Sequence, residues 1–217
     1  EQVDGKPENC ARVIPLLVSE LERETDPRVI EALVYSLGHA WEEGASMAIL
    51  ASVRADNPDK DIRLALARSI PGGVQSKPGI DAVAGVLVQL TADCDGDVHD
   101  WACFGLSQLE CDSPAIRDAL IARINDEHDD ARCEALVALA QLGDPRVLAP
   151  LLERVNSDRV WKLELEAAGQ LSHPDLWEPL VELRDSWEGD ASDPDIRAAA
   201  DFAICRCHPD AKPVATQ

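Results

Sequence analysis

Apolar residues recur along this chain at helical spacing, and the spacing itself repeats. Ile30, Arg63, His99, Arg132, Glu164 and Arg197 mark equivalent points, separated by 33, 36, 33, 32 and 33 residues. One residue earlier stand Val29, Ile62, Val98, Ala131, Leu163 and Ile196. Three residues later come Leu33, Leu66, Ala102, Ala135, Ala167 and Ala200. Seven later come Leu37, Ile70, Leu106, Leu139, Leu171 and Ile204. All eighteen are apolar, and steps of four place them on one stripe of a helix. Alanine in the middle column lets neighbouring helices approach closely.

The stretch from His128 to Val155 states the unit: two short amphipathic helices joined by the tight turn Leu142-Gly143-Asp144-Pro145. A period near 33 residues belongs to solenoids of helical pairs. The second helices are predicted over residues 44–55, 79–92, 113–125, 145–156 and 174–187. Before them, Asn9 caps a first helix running to about Glu24, with Val13, Leu16, Leu17 and Leu21 on one face. Asp26-Pro27 opens the next, with proline where its missing N–H costs nothing. Pro15, Pro150 and Pro179 precede apolar pairs inside predicted helices and are expected to bend them. No sustained period-two alternation marks a strand. The fold class expected is all-α: about twelve helices in six antiparallel pairs, a right-handed α-solenoid. Residues 8–207 form one array, with 1–7 as a lead-in and 208–217 as a loose tail. The column four after the marker runs Val34, Ala67, Cys103, Leu136, Ala168 and then Asp201. A charge in the sixth copy fits an end repeat whose face no further copy covers.

The pattern Asp-x-x-Val-Arg-x-x-Ala-x-x-x-Leu followed by Gly-Asp-Pro-x-x-x-x-Pro-Leu-Leu resembles the HEAT-like repeats of the phycobilisome-lyase type. Asp129 to Leu152 matches it most fully, and Asp193 to Ile204 matches its first half. The stretch Asp97 to Leu106 also resembles an Asp-Trp-Ala-x-Phe segment of bacterial HEAT-repeat proteins. The resemblance covers nearly all of residues 8–207. It implies an α-solenoid used as a protein-binding scaffold, in a family where some members are lyase subunits or DNA glycosylases. The family's arginine column holds Ile30, His99 and Glu164 in three copies, so any Asp–Arg ladder between repeats is expected to be interrupted.

Charge narrows the partner. Twenty Lys and Arg against 41 Asp and Glu give a net charge of −21, which repels a phosphate backbone or an anionic membrane and leaves basic proteins open. No apolar run approaches a membrane span. Seven scattered cysteines read as reduced, mostly buried thiols of a cytoplasmic protein. The acids crowd the connections: Asp56, Asp59 and Asp61; Asp93, Asp95, Asp97 and Asp100; Asp126, Glu127, Asp129 and Asp130; Glu188, Asp190, Asp193 and Asp195. They serve either as helix caps and solvated charge or as a docking ridge for a basic partner.

Catalytic and metal chemistry finds little purchase. Asp93-Cys94-Asp95-Gly96-Asp97 lacks the glycine and glutamate that a calcium loop needs, because Val98 and Phe104 hold those positions. His99 and Cys103 share a helix face, with Cys94 and Cys111 nearby, yet no Cys-x-x-Cys pair supports zinc. Neither a metal nor a cofactor is expected. Trp101 is the most informative residue. Its column, two after the marker, reads Ala32, Ala65, Trp101, Glu134, Glu166 and Ala199. Two glutamates show that the row reaches water, so Trp101 either anchors an interface or fills a gap left by the longer copy. Trp41, Trp161, Trp177 and Trp187 read as packing or helix-end residues. The candidate binding residues are Trp101, with Asp100 and His99 beside it, and Glu134, Glu166 and Arg132 in later copies. The function expected is non-enzymatic: a protein or peptide, with basic groups, held on the inner face. The alternative is a bilin-lyase-like chromophore handler, which requires an apolar cleft and a reactive cysteine.

Overall fold

The computed structural model describes residues 7–109, 111–157, 159–187 and 193–210, with side chains from residue 12 onward. These residues form twelve α-helices and no strand. Contacts divide the chain into two compact units, one ending at Cys111 and the other beginning at Asp112. The first unit holds α1 (Pro7–Leu21), α2 (Pro27–Gly38), α3 (Glu43–Ser52), α4 (Lys60–Ser69), α5 (Lys77–Leu90) and α6 (Gly96–Gln108). The second holds α7 (Pro114–Ile121), α8 (Asp129–Gln141), α9 (Leu148–Val155), α10 (Lys162–Leu171), α11 (Trp177–Ser186) and α12 (Pro194–Cys207). Inside each unit the even-numbered helices pack in series, α2 on α4 on α6 and α8 on α10 on α12, with the odd-numbered helices as their partners.

The helices begin where side chains satisfy the orphan N–H groups of a first turn. The carboxylates of Asp26, Asp59, Asp95 and Asp193 accept from the N–H two residues on, in α2, α4, α6 and α12 respectively. Ser76 and Ser113 do the same work for α5 and α7. Much of the acid in the connections therefore caps helices and favours their positive ends. Glu188 and Asp190 lie outside the described residues, as do positions 211–217 of the expected tail, and the side chain of Cys10 is likewise outside the description.

The repeated seam is the core. All six residues of the Leu33-to-Ala200 column are buried, and Leu37, Ile70, Leu139, Val98 and Ala131 are fully enclosed. Only the edges of the pattern depart. Val29 is exposed, and Leu163, Leu171, Ile196 and Ile204 are half-buried. On α1, Val13 and Leu16 are exposed while Leu21 is buried. That helix starts at Pro7, so Asn9 lies inside it and does not occupy the cap position. In the sixth copy Asp201 is exposed, as its charge requires, and pairs with Arg184 at 3.0 Å.

Two expectations change. Pro150 and Pro179 are third residues of α9 and α11, each entered from a 3-10 turn, over Pro145–Val147 and Pro174–Leu176. First-turn N–H groups have no acceptor within the helix, so these prolines remove no helical hydrogen bond and start helices where a bend was expected. Pro15 alone of the three sits well inside its helix. The second change concerns Glu164. Placed in the arginine column, it is fully buried and accepts from Arg154 at 2.7 Å, with Arg132 of the preceding copy 3.5 Å away. Its other oxygen takes the Trp161 N–H at 2.8 Å. The polar link between copies persists there with the charges exchanged.

Candidate functional site

The column five after the marker reads Tyr35, Arg68 and Phe104 in the first three copies. It lies about one turn beyond the Trp101 column, so side chains of the two columns meet on one helix surface. In the first unit they form a stack. The Arg68 guanidinium carbon lies 4.3 Å from the Trp101 ring centroid and 5.4 Å from that of Tyr35. The Phe104 ring meets Trp101 edge-on, with centroids 5.5 Å apart. Trp101 is half-buried and Phe104 half-exposed. Trp101 therefore packs on its neighbours while part of its surface reaches solvent.

The stack forms one wall of a cleft of about 380 Å³. Trp41 and the turn from Pro71 to Gln75 line the same cleft. Two glycines allow that geometry. A Cβ on Gly38 would lie 2.5 Å from Ser69 Cβ, so α2 and α4 touch at the cleft floor only because it is absent. Gly73 has φ +79, and a Cβ there would meet the Trp41 backbone at 2.3 Å. The turn is fixed from behind. Ser46 donates to the Gly72 carbonyl at 2.8 Å, and Glu43 accepts from the N–H groups of Gln75 and Ser76 at 3.0 and 2.8 Å. The Ser76 hydroxyl, with those N–H groups, holds the Glu43 carboxyl below its ordinary range. Trp41 itself is 72% exposed with φ 53. Of the two roles the sequence suggested, packing or helix end, it takes the second: it lies between α2 and α3 with its backbone against the turn at Gly73 and its ring exposed.

Of the six residues singled out from the sequence, three share α6. Trp101 lines the cleft, Asp100 is half-buried beside it, and His99 is buried with 8% of its surface exposed. The other three belong to the second unit. Arg132 on α8 is taken up by Asp129 at 2.7 Å and by Glu164. Glu134 on the same helix is half-buried. Glu166 on α10 lines a shallow depression with Phe202, and its carboxylate stands 3.6 Å from Lys162. Trp41, Arg68 and Phe104 were missed. The column holding Tyr35, Arg68 and Phe104 was the available signal, whereas nothing local announced Trp41.

The acid-rich segment before α6 is committed elsewhere. Both oxygens of Asp93 are held by Arg63, at 2.6 and 2.9 Å, and Asp95 caps α6 while meeting Lys60 at 3.2 Å. Burial raises the Asp93 carboxyl, but Arg63, the Asp95 N–H and Cys94 together outweigh it, leaving a lowered pKa. Burial, reinforced by Glu164, pushes the Cys133 thiol up to about 12. Burial likewise pushes Cys207 up to about 11.

Comparison with known proteins agrees with this architecture. Residues 83–172 match the family described as HEAT repeats. A stretch of 91 residues is 33% identical to protein YibA of Escherichia coli, covering 42% of this chain and 32% of YibA, so the match spans about a third of that relative. A crystal structure of E. coli YibA superposes with a TM-score of 0.71 over 93% of this chain and 71% of that one, at 23% identity. A designed armadillo repeat protein solved in complex with the peptide (KR)4 gives a TM-score of 0.59 over 90% of this chain and 99% of its own, at 15% identity. No described helix is long and apolar enough to cross a membrane. With its seam recurring copy by copy, the chain has the fold of a helical-repeat solenoid, and its residues 83–172 match HEAT repeats.

Proposed function

We propose that the protein is a non-enzymatic scaffold that holds a protein or peptide on its even-numbered helices, with Trp101 as the anchor. The observation that carries this reading is the Trp101 cleft, where three large aromatic rings reach solvent beside a pre-formed, glycine-floored hollow. Aromatic anchors in preorganised hollows are where binding energy concentrates. The partner carries basic groups as well: a chain of net charge −21 attracts them, and the similar designed armadillo protein was solved with a Lys-Arg peptide. Glu134, Glu166 and Asp100 are the carboxylates proposed to meet those groups, with Arg132 and His99 holding the helices beneath. Core thiols such as Cys103 and Cys133 suit a reducing compartment, and we place the protein in the cytoplasm. The bilin-handling alternative has no support in the cleft, where no cysteine stands among the described lining residues.

The test is titration of blocked peptides with basic, neutral or acidic ends, each with one central apolar residue separated from those ends by Gly-Ser spacers. Basic peptides are expected to bind most tightly, to weaken with added salt, and to lose about tenfold in Glu166→Gln. Trp101→Ala should abolish binding while shifting Tm by no more than about 4 °C. Wild-type affinity in Trp101→Ala would remove the proposal.

A further inference from the structure

Within that reading, the groove around Trp101 carries a local charge opposite to that of the chain. The central cleft continues into two smaller hollows. One, of about 160 Å³, shares Trp41, Arg68 and Trp101 with it and reaches Tyr35 and His39. The other, of about 330 Å³, shares Pro71 and Gln108 and reaches Ile80 and Leu109. Together the three adjoining hollows make a groove from Tyr35 to Ile80 in the first unit. In a chain with 41 acidic residues, no Asp or Glu stands among the described lining residues of the three hollows. The nearby carboxylate of Glu43 is spent on the turn behind. The groove's permanent charge is Arg68.

Arg68 is placed to use that charge. Arg54, Arg63, Arg117, Arg146 and Arg154 each meet a carboxylate, whereas Arg68 meets two ring faces and no carboxylate among the described residues. Stacking engages the face of a guanidinium and leaves its in-plane N–H donors at the edge. A guanidinium held over aromatic rings in a groove without carboxylates among its described lining residues suits one kind of guest, an oxyanion that meets its N–H donors.

We propose that the groove binds an internal, extended peptide segment in which an apolar side chain is flanked by Glu or Asp. The apolar group enters between Trp41 and Trp101, and the neighbouring carboxylate closes on the Arg68 fork. A segment passing through, and not a chain end, fits because the central cleft shares lining residues with one further hollow that reaches Tyr35 and with another that reaches Ile80. The partner's basic groups then lie outside the groove, so its sequence is mixed in charge: acidic and apolar at the anchor, basic beyond it.

Four peptides with the sequence Gly-Ser-X-Phe-X-Gly-Ser test this, each acetylated and amidated, with X as Glu, Gln or Lys, and with Glu but Ala in place of Phe. A fifth ends in a free carboxylate directly after Gln-Phe. Binding is read from the tryptophan fluorescence of the full chain. The Glu-Phe-Glu peptide should bind about tenfold more tightly than Gln-Phe-Gln, the worth of one charge-assisted pair. R68Q should erase that preference with Tm and circular dichroism unchanged, and the Ala analogue should not bind. Equal affinity for Glu and Gln peptides, a preference surviving R68Q, or tighter binding of the free-ended peptide would overturn the assignment. Preference for Lys-Phe-Lys sinks it while sparing the broader scaffold reading. Binding by none of these or of the basic peptides above sinks both.

Discussion

Arg63 and Asp93 form a two-pronged ion pair that ties α4 to the connection leading into α6. Arg63 Nε lies 2.6 Å from Oδ2 and Nη2 lies 2.9 Å from Oδ1, with 11% and 7% of the two side chains exposed. The remaining guanidinium nitrogen donates to the Asn57 carbonyl at 2.8 Å. Asp93 in turn accepts from the Asp95 N–H, so the pair also orders the residue that caps α6. Breaking such a pair leaves a charge in a site that water scarcely reaches. Arg63→Met should cost about 3–5 kcal/mol in urea unfolding. Arg63→Lys, which keeps the charge and loses the fork, should cost less. Equal stability of Arg63→Met and wild type would show that the pair is idle.

Glu164 offers a sharper contrast between pattern and packing. By the repeat pattern, Glu164→Arg restores the family's arginine. In the structure it would gather three guanidiniums, those of Arg132, Arg154 and the new residue, around a site with no solvent exposure. The variant should lose at least about 3 kcal/mol or fail to fold. Glu164→Gln, which retains an acceptor for Arg154, should be milder. Thermal denaturation of both variants distinguishes the two views.

The acid limb of stability should carry the mark of Asp144. Hydrogen bonds from Arg146, then from its N–H and from Arg117, hold this buried carboxyl well below the ordinary range. The unfolded chain takes up a proton near the usual Asp value of about 3.9, and the folded chain only at lower pH. Stability from this group is therefore complete above about pH 5 and declines as pH falls through 4 toward the depressed folded value. Asp144→Asn should be less stable at pH 7 and show a flatter dependence of the urea midpoint between about pH 4 and 2. An unchanged slope would mean that Asp144 titrates normally.

Thiol reactivity should follow burial. Cys94 and Cys205 are exposed, while Cys103, Cys133 and Cys207 are buried. With the thiols of Cys133 and Cys207 raised to about 12 and about 11, almost none of either is thiolate at neutral pH. Brief alkylation of the native chain, read by peptide mass, should label Cys94 and Cys205 and spare the other three until denaturant is added. Early labelling of Cys133 would contradict the packing of α8.

The pattern of residues determined the fold because burial and periodicity are the same fact seen twice. A stripe such as Val98, Ala102 and Leu106 must lie against something, and its recurrence in six copies supplies that surface. Caps were legible for a similar reason, since Asp59 or Asp95 acts on backbone two residues away. The site was half legible. Trp101 stood out because its column also carries Glu134 and Glu166. The tertiary structure alone decided that Arg68 lies over the Trp101 ring, that Trp41 stands exposed at φ 53 against the turn containing Gly73, and that Glu164 replaces an arginine by accepting from Arg154 with Arg132 close by. Each of these depends on chain segments separated by many residues meeting within a few ångströms. Local periodicity dictates which face of a helix is hidden, but the side chains that meet at its accessible edge are set by how neighbouring helices and their connections pack.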